Sequence, residues 1–323
     1  MKTKKLLLIP LIALLCACSN DEPKTDDNPS DNPAPAAERT LSLITPTGAP
    51  AVAMSYLAAS TSDKVTLETT ANPSLLKGYF AGKNYDVIVA PTDVGVKAIQ
   101  EGCDYKLAAT ITSGNFYLVS TGLDENNTLD SDDSIVLFQQ NGLPDKIFHY
   151  VYGDAFNSNI TYVTNVAVAG TVYAAKEVTN ADGVKVPVDY VLLAEPKLTA
   201  LKITTGITDL SAAFAAKSQT SKVFQASIFV INNKEPEVGN FLKDAKANIE
   251  EMLADTNKIT ENMSKKDDPA TFFGIAPQAA KNITNKNNGL ALTYLDAYEN
   301  KDAIIQYMDI LGVKNVNEEV FYK

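Results

Sequence analysis

One stretch in the first third of the chain constrains the fold more than any other. Residues 85–96 read YDVIVAPTDVGV, where the apolar run from Val87 to Ala90 is closed by Pro91 and followed by Thr92 and Asp93. An apolar run of this kind is typical of a strand buried on both faces, and Thr-Asp after it is a helix start signal. We therefore predict a buried strand followed directly by a helix, with Thr92 or Asp93 as its cap and free backbone N–H groups at its start.

The same pattern, a short apolar strand that ends in polar or small residues, recurs along the chain. Further strands of this kind are predicted at 40–45, 64–69, 134–138, 160–163 and 188–193. Residues 85–91 and 189–196 look like the same element used twice. Ligands bind beyond the carboxyl ends of the strands in an open parallel sheet. We predict an α/β protein whose two βα lobes face each other, although the 85–96 stretch alone is equally compatible with an ordinary βα unit.

The order of these units predicts where the chain passes between the lobes. A strand that begins at Tyr105 is interrupted by Ser113-Gly114-Asn115, which is a natural place for the chain to leave the first lobe. The strand predicted at 224–231 should run back toward the first lobe, and two such crossings make a hinge plausible. The predicted organisation is a first lobe of residues 39–115 and 233–323 and a second lobe of residues 116–232, each a sandwich of helices on a βα sheet.

The N-terminal residues have the pattern of an export signal. Basic residues precede an apolar run at 6–15, which is too short to span a membrane. The LCAC segment that follows resembles the lipobox of bacterial lipoproteins, in which the signal is cut before a Cys that receives lipid, and the small Ala17 favours Cys18. We predict a signal peptide at 1–17, lipidation of Cys18 and a disordered tether at 18–38. A Cys within an ordinary signal peptide is the alternative.

Charge and motif content argue against several functions. The chain carries 28 Lys and Arg against 39 Asp and Glu, a formal net charge of -11, which disfavours nucleic acid as a partner. His149 is the only histidine, and Cys103 is the only cysteine that remains an unmodified thiol once Cys18 carries lipid, so we predict no metal site. No Gly-x-Ser-x-Gly elbow, Walker loop or dinucleotide loop is present, although counting alone leaves a Ser-His-Asp triad open. We predict no catalytic residue and no cofactor.

Together these features resemble type II periplasmic solute-binding proteins of ABC importers, in the nitrate, sulfonate and thiamine-precursor branch. The resemblance covers nearly all of the chain after the leader. It rests on the order of the lipobox, Pro46-Thr47-Gly48, Asp86 to Pro91, Gly122 to Gly142, Asp189 to Pro196 and the closing Phe321-Tyr322-Lys323. It implies a two-lobed fold with two crossovers that form a hinge, in a monomer held by lipid in the bacterial cell envelope, periplasmic or surface-exposed. It also implies capture of a small polar organic solute for an ABC permease and its ATPase.

The candidate ligand-binding residues follow from the strand ends, where helix starts can hold polar or anionic atoms. They are Thr47, Gly48, Ala49, Thr92, Asp93, Ser113, Asn115, Gln140, Asn141, Asn165 and Glu195. Arg39 is the single Arg and Trp is absent, so neither an Arg fork for an oxyanion nor an indole wall is expected. Asp93 and Glu195 favour a solute with an amine, amide or heterocyclic N–H group. Any aromatic stacking on the solute must come from Tyr79, Phe80, Phe116, Tyr117 or Phe138.

Two other functions fit the same sequence. A surface lipoprotein with this fold could bind a macromolecule or a partner protein, and we would then expect a poorly closed cleft and a large exposed apolar patch. A biosynthetic enzyme related to the thiamine-pyrimidine synthases could also share the fold, although the Cys-rich motif of those enzymes is missing here.

Overall fold

Two main β-sheets with helices packed against them make up the protein. The computed structural model describes residues 40–58, 65–123, 128–220, 222–232, 234 and 236–323. The predicted signal peptide, Cys18, the tether and Arg39 lie outside the described residues. In chain order the strands are β1 (Leu41–Pro46), β2 (Val65–Thr70), β3 (Val87–Pro91), β4 (Tyr105–Thr112), β5 (Phe116–Ser120), β6 (Ile135–Phe138), β7 (Ile160–Val163), β8 (Glu177–Thr179), β9 (Lys185–Pro187), β10 (Tyr190–Ala194), β11 (Ile207–Asp209), β12 (Ala226–Ile231) and β13 (Leu292–Asp296).

The helices follow the strands in most of the units that the sequence predicts. They are α1 (Ala49–Ala53), α2 (Leu76–Gly82), α3 (Thr92–Gln100), α4 (Leu143–Tyr152), α5 (Val166–Ala175), α6 (Lys197–Ala200), α7 (Leu210–Ser218), α8 (Glu237–Ala254), α9 (Asn257–Met263), α10 (Pro269–Phe273), α11 (Pro277–Asn285) and α12 (Lys301–Ile310). None of the helices in the described ranges is both long enough and apolar enough to cross a bilayer.

The five strands of the second sheet have the same arrangement as five strands of the first, in which β13 is additional. The first sheet has the order β13-β4-β12-β3-β1-β2, and the second has the order β11-β5-β10-β6-β7. In the first sheet β2, β1 and β3 are parallel and β12 is antiparallel to β3. In the second sheet β7, β6 and β10 are parallel and β5 is antiparallel to β10. This confirms the predicted α/β fold, in which one βα arrangement occurs once per sheet.

A Ser-Asp pair is repeated at the same place in each sheet. Ser42, at the start of β1, donates from its backbone N–H and its Oγ to Oδ2 of Asp86, at 2.8 and 2.9 Å. Ser134, just before β6, donates in the same way to Asp189, at 2.9 and 3.0 Å. Each Asp precedes the strand that lies beside its serine's strand. The pairing explains why residues 85–91 and 189–196 look alike in the sequence.

The chain leaves the first sheet after β4 and returns to it through Gln225 and β12. β12 lies between β3 and β4 and is hydrogen-bonded to both of them. The return was expected from the sequence, but the predicted lobe boundary at 232 assigns β12 to the second lobe, and the strand pairing contradicts that assignment. The crossing therefore precedes Ala226, because β12 is a central strand of the first sheet.

The predicted strand and helix at residues 85–100 form β3 and α3, but the predicted cap of α3 is wrong. Pro91 is the residue before the helix, and neither Thr92 nor Asp93 caps it. The Oγ1 of Thr92 instead forms a buried hydrogen bond with Oγ of Ser227 at 2.7 Å, and its backbone N–H donates to the carbonyl of Gln225 at 3.2 Å. The start of α3 is thus hydrogen-bonded to β12 and to Gln225, which directly precedes β12.

Candidate functional site

A cavity of about 680 Å³ lies at the carboxyl ends of parallel strands from both sheets. On the first side it is lined by Pro46 to Pro50 after β1 and by Pro91 at the end of β3. On the second side it is lined by Phe138 and Gln139 at the end of β6 and by Ala194 to Lys197 at the end of β10. Its volume is within the range of about 300–1,000 Å³ that is usual for small-molecule sites. The position is the one that strand order predicts for a ligand.

The structure brings about half of the candidate residues together at this cavity. Those that line it are Thr47, Gly48, Ala49, Asn115, Asn165 and Glu195. Thr92, Asp93, Ser113, Gln140 and Asn141 are not among the lining residues described. Gln140 and Asn141 are exposed, and Gln139 lines the cavity where Gln140 was expected.

Asp93 has a different partner from the one expected. Its residue is 3% exposed, and its Oδ2 accepts a hydrogen bond from Nζ of Lys146 on α4. The adjacent Lys97 is affected by the same cluster, because burial and the nearby Lys146 ammonium lower the pKa of Lys97. Asp93 therefore joins elements of the two sheets instead of presenting a carboxylate to the cavity.

Amides make up half of the polar side chains that line the cavity, namely Asn115, Gln139, Asn165 and Gln225. Gln225 comes directly before β12 and Asn115 directly before β5, so these two amides lie on the two crossings between the sheets. Nε2 of Gln225 donates to Oδ1 of Asn115 at 3.4 Å. Asn165 uses its Oδ1 to cap α5, accepting from the N–H groups of Ala167 and Val168 at 3.0 and 3.1 Å.

Two residues of opposite charge, Glu195 and Lys197, are the charged side chains among the described lining residues. Both oxygens of Glu195 accept hydrogen bonds from Thr199, from its Oγ1 at 2.7 Å and its backbone N–H at 3.0 Å. The aliphatic part of Lys197 packs against Gly170 on α5 so closely that a Cβ there would lie 2.5 Å from Cδ of Lys197. The lining thus carries no excess of either charge.

Some of the backbone N–H groups near the predicted helix starts have protein partners. The N–H of Thr47 donates to the carbonyl of Thr70 at 3.0 Å, and the N–H of Gly48 donates to the carbonyl of Phe273 at 2.7 Å. The N–H of Thr92 is bonded to Gln225, and the first N–H groups of α5 are capped by Asn165. The prediction of unpaired N–H groups is therefore wrong for α5, whereas α1 and α3 have no side-chain cap.

Most of the cavity wall is apolar. Phe116 and Phe138 line the second side, with ring centroids 6.5 Å apart and an interplanar angle of 52°. The first side is completed by a segment that sequence reasoning missed, which includes Gly274, Ile275, Ala276, Ala279 and Ile283. Gly274 approaches Thr47 closely, because a Cβ there would lie 2.8 Å from Cβ of Thr47. Turn signals around Gly274 and Pro277 were the only sequence indication of this segment.

His149 lies away from the described cavity lining. Its Nε2 is 3.1 Å from Oδ1 of Asp145 and 3.3 Å from the hydroxyl of Tyr162. The same Asp145 oxygen accepts a hydrogen bond from Tyr162 at 3.0 Å. Among the described residues, no group of three or more His, Cys, Asp or Glu side chains is arranged to hold a metal ion.

The two repeated sheets and the cavity between them define the fold of type II periplasmic binding proteins. No family model and no curated protein matches the sequence. Among solved structures, an ABC transporter from Parabacteroides distasonis is similar with a TM-score of 0.64 and 15% identity, over 88% of this chain and 99% of that one. The periplasmic aliphatic sulphonate binding protein SsuA from Escherichia coli is similar with a TM-score of 0.58 and 13% identity, over 86% and 95% of the two chains.

A third similar structure comes from a yeast. It is a conserved Candida albicans protein described as having the generic periplasmic binding protein structural fold, with a TM-score of 0.54 and 10% identity, over 87% of this chain and 93% of that one. The similarity spans nearly the full length of each of these proteins. At such identities the comparisons define the fold.

Proposed function

We propose that this protein is the solute-binding component of an ABC importer, and that it captures a small organic solute between its two sheets. The observation that carries the proposal is the cavity of about 680 Å³ at the carboxyl ends of parallel strands in both sheets. The fold is shared with solved proteins described as an ABC transporter and as a periplasmic sulphonate binding protein, which supports the same role here. The permease and its ATPase would be the partners, and the protein would act as a monomer.

The two chain crossings between the sheets allow the protein to change conformation when a solute occupies the cavity. Both pass beside the cavity, at Asn115 and at Gln225. A solute that contacts both sides binds the closed arrangement better than the open one, so it shifts the population toward closure. The residues proposed to contact it are Thr47, Gly48, Ala49, Asn115, Phe116, Phe138, Gln139, Asn165, Glu195 and Gln225.

A screen of the full-length chain against a metabolite library, read as a shift in Tm, tests the proposal. Binding to the folded state should raise Tm in a concentration-dependent way. Ala200→Trp adds bulk at an exposed position on the cavity wall and should abolish the shift. Ala216→Trp is the matched control, because Ala216 is also exposed on a helix but lies outside the described lining. If no metabolite raises Tm, the surface lipoprotein or the enzyme becomes the better hypothesis.

We also propose that lipid on Cys18 holds the protein in the bacterial cell envelope. The proposal rests on the LCAC segment after a basic and apolar leader. Cys18→Ser should move the protein from the membrane fraction to the soluble fraction, whereas Cys103→Ser should not. Equal membrane retention of the two variants would contradict lipid attachment at Cys18.

A further inference from the structure

Gln225 is held at the cavity by bonds to both of its neighbouring elements. Its backbone N–H donates to the carbonyl of Thr112 at the end of β4, at 3.1 Å, and its carbonyl accepts from the N–H of Thr92 at the start of α3. Its Nε2 is turned to Asn115 on the other crossing. The backbone of Gln225 is therefore held between β4 and α3, while its side chain is held by one long hydrogen bond.

The oxygen of the Gln225 amide lacks a hydrogen-bond donor among the described residues. Oε1 of Gln225 is buried, and it has no hydrogen-bond partner among the described residues. A buried acceptor without a donor is unfavourable, and most such groups in folded proteins are satisfied by protein or by a bound molecule. Because Gln225 lines the cavity, rotation of its amide would expose Oε1 to a molecule there, which can supply the missing donor.

The surroundings of this acceptor favour an uncharged molecule. Glu195 and Lys197 carry opposite charges, and both oxygens of Glu195 accept hydrogen bonds from Thr199. The N–H groups of Thr47 and Gly48 and the first N–H groups of α5 have protein partners. The described lining therefore has no net charge that would compensate an ion for its lost hydration.

The remaining wall is suited to an apolar body. Phe116 and Phe138 are 4% and 5% exposed, so their rings are fixed in place and present aromatic surface to the cavity. Ala49, Ala279 and Ile283 form apolar surface on the opposite side. Burial of apolar surface contributes roughly 25 cal/mol per Å², so contact with these side chains can supply most of the affinity.

We propose that the solute is a neutral organic molecule with an apolar body and one N–H or O–H donor that binds Oε1 of Gln225. Lactams, secondary amides and alcohols are the chemical classes that meet this description. The inference rests on the proposed function, and it specifies the chemical class of solute that the cavity binds. It narrows the amine, amide or heterocyclic N–H solute that Asp93 and Glu195 favoured in the sequence to its uncharged members, since Asp93 is paired with Lys146 and the charge of Glu195 is balanced by Lys197 in the lining.

The test is a fragment library in which each neutral amide or lactam is matched with its N-methyl derivative, a carboxylate and a primary amine. Binding to the full-length chain, purified in detergent, is measured by ligand-observed NMR and by Tm. We expect neutral fragments with a donor to bind, and we expect their N-methyl derivatives to bind at least about tenfold more weakly, as the loss of one buried hydrogen bond implies.

Two variants separate the acceptor from the rest of the cavity. Gln225→Met keeps the length of the side chain and removes the acceptor, so it should erase the difference between each amide and its N-methyl derivative. Gln225→Glu keeps an acceptor and should retain that difference while gaining affinity for the amines. Gln100→Met is the control, because the Gln100 amide is exposed and bonds to the carbonyl of Lys314. The Tm of each variant without fragments verifies folding.

The outcomes distinguish this inference from the proposed function. Binding dominated by carboxylates or amines would overturn the neutral solute and leave solute binding intact. Equal binding of amides and their N-methyl derivatives would overturn the assignment to Gln225. If no fragment binds at all, the proposed function fails, and the inference fails with it.

Discussion

Lys146 donates a hydrogen bond from Nζ to Oδ2 of Asp93, and this ion pair connects a helix beside the second sheet with a helix beside the first. Asp93 lies on α3, which contacts β3, β4 and β12, whereas Lys146 lies on α4, which contacts β6 and α7. The other oxygen of Asp93, Oδ1, is buried and has no partner among the described residues. The carboxylate consequently depends on Lys146.

Loss of Lys146 should be costly for this reason. Lys146→Met leaves the Asp93 carboxylate buried without its partner, and we expect a loss of about 3 kcal/mol in the free energy of unfolding. Asp93→Leu combined with Lys146→Met removes both charges and should recover much of that loss. Urea unfolding of the two single variants and the double variant measures the coupling. Lys77→Met is the control, because Lys77 forms an exposed pair with Glu101 at 3.1 Å, and an equal effect of both lysine variants would contradict the dependence.

Gly95 and Gly78 both lie in helices, and replacing each by Ala tests how closely its helix packs against neighbouring residues. A Cβ on Gly95 of α3 would lie 2.1 Å from the ring of Phe229 on β12, whereas a Cβ on Gly78 of α2 would meet no described atom within 4 Å. Gly95→Ala should therefore lower the free energy of unfolding by about 1–3 kcal/mol, because the ring must move. Gly78→Ala should raise it by up to about 1 kcal/mol through helix propensity. Urea unfolding distinguishes the two, and similar effects would show that α3 can shift away from β12.

The Ser-Asp pair of the first sheet predicts a dependence of stability on pH. Burial alone would raise the pKa of Asp86, but hydrogen bonds from Lys234 and Ser42 outweigh burial and lower it below its ordinary value of 3.8. A carboxyl group whose pKa is lower in the folded state stabilises the fold above its unfolded pKa, and this contribution is lost as the pH falls through the folded value. The difference in stability between the wild type and Asp86→Asn should be largest at neutral pH and should shrink below about pH 4.

Chemical unfolding across this pH range measures the effect. Asp104→Asn is the control, because Asp104 forms an exposed pair with Lys83 at 3.4 Å. Exposed pairs of this kind contribute little to stability. A difference between wild type and Asp86→Asn that stays constant with pH would mean that Asp86 is not held as a charged group by Lys234 and Ser42.

The fold could be predicted from the sequence where local pattern decides the structure. β3 and β10 are buried on both faces, so their apolar runs identify them without knowledge of their neighbours. β13 was not predicted, because its sequence LTYLD is short and most of its residues are only partly buried. The sheet to which β12 belongs depends on its pairing with β3 and β4, and no spacing rule encodes that pairing.

The site was predicted only as far as strand ends define it. Thr47 to Ala49, Asn165 and Glu195 follow strands directly, so the pattern located them. Gln225 was missed because it precedes a strand, at a crossing whose position depends on both sheets. Asp93 was assigned to the cavity because its partner, Lys146, is 53 residues away on a helix beside the other sheet, and the sequence gives no sign of that contact.

Two buried tyrosines test how the interior accommodates hydroxyl groups. The hydroxyl of Tyr105 donates to the carbonyl of Tyr85 at 2.5 Å, whereas the hydroxyl of Tyr307 is buried with no partner among the described residues. Burial and the charge of Asp93 raise the pKa of Tyr307 well above its ordinary value, so this hydroxyl stays neutral. Its ring packs against Phe214 and Phe224, with centroids 5.6 and 5.5 Å away.

Tyr307→Phe should therefore leave the free energy of unfolding unchanged or raise it by up to about 1 kcal/mol, since it removes a buried polar group that makes no bond and keeps the ring. Tyr105→Phe should lower it by about 1 kcal/mol, because it breaks a bond and leaves the Tyr85 carbonyl without its donor. Urea unfolding of both variants makes the comparison within one protein. If Tyr307→Phe is as destabilising as Tyr105→Phe, the Tyr307 hydroxyl has a partner in solution, and the unpaired Oδ1 of Asp93 becomes the first group to examine through the Asp93→Asn, Tyr307→Phe double variant.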